Sequence, residues 1–139
     1  MLTAAVAAAA SAPDGPRLLA VTVLTSMDAQ QLHAIGIAVE PAAQVRKLAG
    51  MALAAGVPGL VCSPLEVASI RSEHGDSPLL IVPGIRPAGS AADDQQRFAG
   101  PAEAIVAGAS MLVVGRPITQ AADPAAAASA ILEQIASAR

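Results

Sequence analysis

The sequence predicts an α/β fold: four βα units preceded by a helix, half of a (βα)8 TIM-type barrel. Three observations point there. Short apolar runs without polar alternation recur at residues 18–24, 59–62, 79–82 and 111–114, the pattern of parallel strands covered on both faces. Between them lie helical stretches with start and stop signals. A weak internal repeat joins the two: Ala55-Gly56 then Leu60-Val61 returns 52 residues later as Ala107-Gly108 then Leu112-Val113, a spacing that suits two units of helix, glycine, strand and turn.

The opening MLTAAVAAAASA is mostly alanine, the best helix former. Ala10-Ser11-Ala12 resembles a signal-peptide cleavage site, yet no basic stretch precedes it and leucine is scarce, so the segment reads as a soluble helix. The first apolar run leads into Thr25-Ser26-Met27, and Asp28 stands where a short helix would begin. Residues 42–55 carry Val45, Leu48, Ala52 and Ala55 at helical spacing and stop at Gly56. Ser63-Pro64 reads as N-cap and first helical residue, opening a helix through Val67 and Ile70 to about His74. Gly100-Pro101 opens another that ends at Gly108. Asp123-Pro124 opens the last, with Ile131 and Ile135 facing inward. Each unit takes roughly 30 residues, and an eight-unit barrel averages about 250, so residues 1–139 read as one domain of four units. An open sheet of flavodoxin type is the competing architecture, although the exit of the first strand lacks the glycine its phosphate loop usually has. Half a barrel leaves two strand edges bare and its inner face uncovered. A missing segment, a partner chain or a second copy is expected to complete it.

Composition narrows the function. Hydrophobic residues are 54 % and charged residues 14 %, which excludes a disordered chain. The net charge of −3, from 8 Lys+Arg and 11 Asp+Glu, excludes non-specific nucleic-acid binding. Phe98, the single aromatic residue, cannot build a base-stacking platform. Cys62, the single cysteine, excludes an internal disulfide framework and multi-cysteine zinc sites. His33 and His74 lack a metal-ligand pattern, so no metal is expected at either. No run reaches the roughly 18 apolar residues of a membrane span, and a reducing, cytoplasmic setting is the default.

Ligands of βα proteins bind at the C-terminal ends of the strands. Four segments fall there: Thr25-Ser26, Cys62-Ser63, Pro83-Gly84-Ile85-Arg86-Pro87 and Gly115-Arg116-Pro117. Arg86 and Arg116 each follow a glycine closely. Glycine lets backbone approach a ligand, and the arginine fork suits phosphate. The pair reads as a grip on a phosphate-bearing small ligand, the alternative being that both arginines pair with surface carboxylates. Residues 87–97 form a long polar loop, either a lid or a solvated connector. Cys62 reads as a buried structural thiol, Glu66 as a carboxylate favoured by a helix's first turn, and Lys47 as a solvated lysine on the outer layer.

These strand-exit segments, LLAVTVLTSMD, GLVCSPLE, LLIVPGIRPAGSAADDQQR and MLVVGRPITQAADP, resemble in order and spacing the later part of the orotidine 5′-phosphate decarboxylase family. The resemblance implies a (βα)8 barrel that works as a homodimer without metal or cofactor. It implies conversion of orotidine monophosphate to UMP and CO2 in pyrimidine biosynthesis. Thr25 matches the family's hydroxyl residue at the pyrimidine, Arg86 and Arg116 its phosphate arginines, and Gly115 the glycine whose N–H meets the phosphate. Gln95 matches the lid glutamine that reaches phosphate and base. The family's catalytic Asp/Lys array, with its D-x-K-x-x-D motif, has no counterpart here, so no catalytic residue is assigned. The chain is expected to be a C-terminal half, its first residue falling where the family's fourth helix begins. It reads as the binding part of a decarboxylase completed by an N-terminal half, or as a phosphate-binding or self-associating half-barrel without chemistry. Another phosphate-handling βα enzyme with the same grip is a third reading.

Overall fold

Three X-Pro pairs start helices as their chemistry dictates, because proline lacks the N–H that a helix's first turn leaves unbonded. The computed structural model describes residues 1–87 and 96–138. Pro41, Pro101 and Pro124 begin α3 (Pro41–Ala54), α5 (Pro101–Val106) and α7 (Pro124–Ser137). Pro64 begins a 3-10 turn (Pro64–Glu66) that runs into α4 (Val67–His74). Asp123 caps α7 by accepting from the N–H groups of Ala125 and Ala126, both at 3.0 Å. Around these lie α1 (Leu2–Ser11), α2 (Ala29–Ala34) and α6 (Arg116–Thr119), with strands β1 (Leu19–Val21), β2 (Gly59–Val61), β3 (Leu79–Val82) and β4 (Met111–Leu112). The paired segments are shorter than the apolar runs that foretell them. Single bonds such as Thr22 N–H to Val61 O (3.1 Å) and Val113 N–H to Val82 O (2.9 Å) carry the ladder slightly further.

All neighbouring strands are parallel, in the order β1-β2-β3-β4. A flavodoxin-type sheet reverses its order partway, whereas a barrel adds each strand beside the last. The observed order is the barrel's, and it removes the competing architecture. Leu60, Leu80 and Val82 point to one face and are fully buried beneath Val45, Ala49 and Ala52 of α3, Val67 and Ile70 of α4, and Ala104 of α5.

The opposite face is the uncovered inner face expected of half a barrel. Leu19, Val21, Met111 and Val113 stand 44–59 % exposed there. Both faces are apolar, which makes the runs continuous, but among the described residues helices cover only one. Gly59 lies on the bare face between Leu19 and Leu79 in register. A Cβ there would come within 2.5 Å of Leu19 Cδ2 and 3.2 Å of Leu79 Cβ. The glycine lets its neighbours close over β2.

At the other end of the strands Arg71 acts as a staple. Its Nε donates to Gly108 O at 2.9 Å, and Nη1 to Gly75 O and Pro78 O at 3.1 and 2.8 Å. Nη2 donates to Ser110 Oγ at 3.0 Å, which accepts the Leu80 N–H as well. One guanidinium thus ties the end of α4 to the starts of β3 and β4.

Leu80→Ala is expected to cost about 2–5 kcal/mol by urea denaturation, the cost of a core cavity. Leu132→Ala, on an exposed position of α7, should change stability by under about 0.5 kcal/mol.

Candidate functional site at the strand exits

Because every strand runs the same way, the four exits lie at one end of the sheet. A pocket of about 240 Å³ opens there, lined in part by Val21, Val61, Thr25, Ser26 and Pro83. It joins the top of the bare face to the exits of β1, β2 and β3. Thr25 is buried in its wall. The Thr25 carbonyl accepts from the N–H groups of Gln96 (3.1 Å) and Arg97 (3.2 Å).

After β3 the chain turns at Gly84, whose φ of 78° is one that side chains disfavour. Ile85 then bridges to Ala99 in parallel register. The Arg86 N–H donates to Ala99 O at 2.9 Å, and the Ala99 N–H to Gly84 O at 3.3 Å. The two stems of the long loop are therefore held together at its base. Arg86 is buried, and its Nη1 donates to Ile85 O at 2.9 Å. Gln95 lies outside the described residues.

After β4, Gly115 starts α6, and its carbonyl accepts from Ile118 and Thr119 at 2.9 and 3.0 Å. Its φ of −103° is open to any residue. What distinguishes the position is space, since a Cβ there would meet nothing within 4 Å. Arg116 follows as the first residue of α6, partly buried.

The residue that sequence reasoning missed is Arg97. Its Nη1 forms an ion pair with Glu66 Oε1, and its Nη2 donates to the carbonyls of Val23 and Leu24, both at 3.0 Å. The Arg97 carbonyl accepts from Ser63 Oγ at 3.4 Å. Both charged side chains are under a tenth exposed, 8 % for Arg97 and 5 % for Glu66. Glu66 lies in a first turn, as the sequence suggested, and is also one half of a buried pair. The signal was available in principle, because a carboxylate just past an apolar strand needs a cation. Its partner stands 31 residues further on, too far for spacing to identify.

The remaining candidates behave as their sequence context predicts. Lys47 and His33 are exposed. Asp28 caps α2 in a reciprocal box with Gln31, both bonds at 2.9 Å. Among the described residues no cluster of His, Cys, Asp and Glu could hold a metal ion, and no helix is long and apolar enough to cross a membrane. Burial, with the Glu66 carboxylate adding to it, pushes the Cys62 thiol up to about 12, against a smaller opposing pull from Arg71 and Arg97. A thiol so placed is no nucleophile at neutral pH.

The chain matches the Orotidine 5'-phosphate decarboxylase / HUMPS family over residues 1–131. It is 58 % identical over 123 residues to an orotidine 5'-phosphate decarboxylase of Gluconobacter oxydans, covering 88 % of this chain and 52 % of that protein. It is 54 % identical over 138 residues to that of Halorhodospira halophila, covering 99 % of this chain and 58 % of that one. The crystal structure of the Lactobacillus acidophilus orotidine 5'-phosphate decarboxylase superposes with a TM-score of 0.70 at 43 % identity, covering 87 % of this chain and 50 % of that one. The chain spans about half the length of the curated relatives it matches.

Two outcomes test this geometry. Cys62 should resist thiol reagents at pH 8 in the native chain and react once the chain is unfolded. The folded thiol titrates above its unfolded value of 9.0, so stability should be flat below about pH 9 and fall as pH rises from there towards 12. Arg97→Ala should cost about 3–5 kcal/mol by urea denaturation, since it strands a buried carboxylate. Adding Glu66→Leu in an Arg97→Met chain should recover most of that loss, because an apolar pair leaves no charge unpaired.

Proposed function

The chain belongs to the orotidine 5'-phosphate decarboxylase / HUMPS family, and on that footing we propose that it is the nucleotide-gripping half of an enzyme converting orotidine monophosphate to UMP and CO2. The observation that carries this reading is the grouping of strand exits. The open Gly115-Arg116 start of α6 follows β4, the PGIRP turn follows the neighbouring β3, and Thr25 lines the pocket beside them. In this reading Arg116, Arg86 and the Gly115 N–H hold the phosphate. Thr25 offers its hydroxyl to the pyrimidine, and Gln95 spans phosphate and base. No metal or cofactor takes part, and a reducing cytoplasmic setting goes with a free Cys62.

The division of labour follows from charge. Loss of the carboxylate leaves electron density on a ring carbon, and a nearby cation must stabilise and then protonate that carbon. The grip arginines sit at the opposite end of the substrate and stay protonated, so they position rather than donate. Phosphate binding remote from the reacting carbon can still lower the barrier, if that binding energy is expressed in the transition state. Lys47, the one lysine in the sequence, is exposed on α3 and far from this role. A completing half, carrying the D-x-K-x-x-D array, therefore supplies the chemistry. Alone, the 139-residue chain is a binding module.

UMP titrated into the chain by calorimetry should bind, and Arg116→Ala should weaken that binding roughly 30-fold, about 2 kcal/mol for a charge-assisted phosphate contact. His33→Ala, on the exposed side of α2, should not. Loss of orotate absorbance should be undetectable with the chain alone and appear when a separately expressed segment bearing the D-x-K-x-x-D strand is added. Equal UMP affinity in the Arg116 and His33 variants removes Arg116 from the site. Turnover by the pure chain, surviving Lys47→Ala, overturns the assignment of roles.

A further inference from the structure

We infer that Arg97, held by Glu66, is the positioning residue for the base end of the site. It fixes the turn that presents Thr25 and Ser26 to the pocket, and so sets preference for the nucleobase rather than affinity for the phosphate. The inference rests on the reading of Thr25 as the pyrimidine contact.

Three consecutive carbonyls converge on this one residue. Those of Val23 and Leu24 accept from Arg97 Nη2, both at 3.0 Å, and that of Thr25 accepts from the Arg97 N–H at 3.2 Å. In a strand, successive carbonyls point to alternate sides. Here all three turn to Arg97, so the chain has left the strand and curls around it. A turn follows at once, closed by the Met27 N–H on Leu24 O at 3.0 Å, with Thr25 and Ser26 as its two central residues. Leu24 O thus serves both the turn and the guanidinium. Thr25 and Ser26 line the pocket, and the path of this backbone decides where their hydroxyls stand.

The arginine is tied in turn to the core. Its other arm bonds the buried Glu66 at the end of the 3-10 turn, and α4 follows directly with Val67 and Ile70 packed under the sheet. Ser63 Oγ donates to the Arg97 carbonyl at 3.4 Å. A guanidinium can reach a carboxylate on one side and two carbonyls on the other, because its five donors are spread over a rigid fork; a lysine ammonium is a point. Neither Arg97 nor Glu66 is among the lining residues of the pocket, so the pair acts through the turn and not on the ligand. The phosphate end is held separately. The Ile85–Ala99 bridge fixes the stem that bears Arg86, and Gly115 and Arg116 follow β4.

Glu66→Leu with Arg97→Met removes both charges together and leaves an apolar pair. By calorimetry this chain should bind UMP roughly 10-fold more weakly than wild type, the scale of one hydrogen bond, and ribose 5-phosphate within about twofold of wild type. Thr25→Val should give a similar loss for UMP. Combined with the pair replacement it should lose little more, since both changes remove the same contact. A readout without ligand accompanies these. Exchange of the Met27 and Gln96 amide hydrogens should quicken at least about 10-fold in the double variant, with the Leu80 amide unchanged, because only the turn is loosened. Should the double variant not fold, Arg97→Lys keeps a cation beside Glu66 without the fork, and should show the same split between the two ligands. Undiminished UMP affinity, equal losses for UMP and ribose 5-phosphate, full additivity with Thr25→Val, or unchanged exchange at Met27 and Gln96 would each overturn the positioning role and leave the functional reading standing. A wild-type chain that binds no UMP overturns that reading, and this inference with it.

Discussion

A guanidinium taken out of water must be given acceptors, and a strand that has outrun its partner must be given donors. At Arg97 these two requirements meet. The β1 ladder ends near Thr22, and the carbonyls of Val23 and Leu24 pass into buried or partly buried surroundings without a next strand to bond. Arg97 supplies their donors through Nη2, while its other arm neutralises Glu66 beside β2. Its backbone takes part as well, giving its N–H to Thr25 O and receiving Ser63 Oγ. Five groups on two segments are thereby fixed by one residue. A buried ion pair adds little net stability. What it contributes is a single arrangement, since any slip would strand a charge in an apolar site.

That arrangement is what makes the strand exits a site rather than a set of loose ends. The Thr25 backbone is held from the far stem of the long loop, and the near stem is held by the Ile85–Ala99 bridge. The loop therefore leaves and returns at fixed points above the pocket. Gly115, by contrast, is defined by open space, since a Cβ there would meet nothing within 4 Å. Donors and space are gathered at one end of the sheet.

The sheet is apolar on both of its faces. One face packs under α3, α4 and α5 in the ordinary way. The other carries leucine, valine and methionine that the described residues do not cover. In a closed barrel that second face is interior, and its composition is that of a core.

The sequence by itself determined the elements and their class. Glycine and proline punctuation placed the helices within a residue or two, and the unbroken apolar runs marked all four strands, because these signals act over a few neighbouring residues. It identified Asp28 as a cap, Lys47 as solvated and Cys62 as buried. The PGIRP and GRP segments were legible as strand-exit turns from position alone. Tertiary structure decided the rest. Strand order separated the barrel from the open sheet, since both begin with the same alternation of elements. Only the folded sheet assigned each apolar residue to its covered or its bare face, because a continuous apolar run reads alike on either side. The pairing of Glu66 with Arg97 was settled last of all. A buried charge demands a partner, but no local rule names which one, and only the fold brings two residues so distant in the chain within reach of each other.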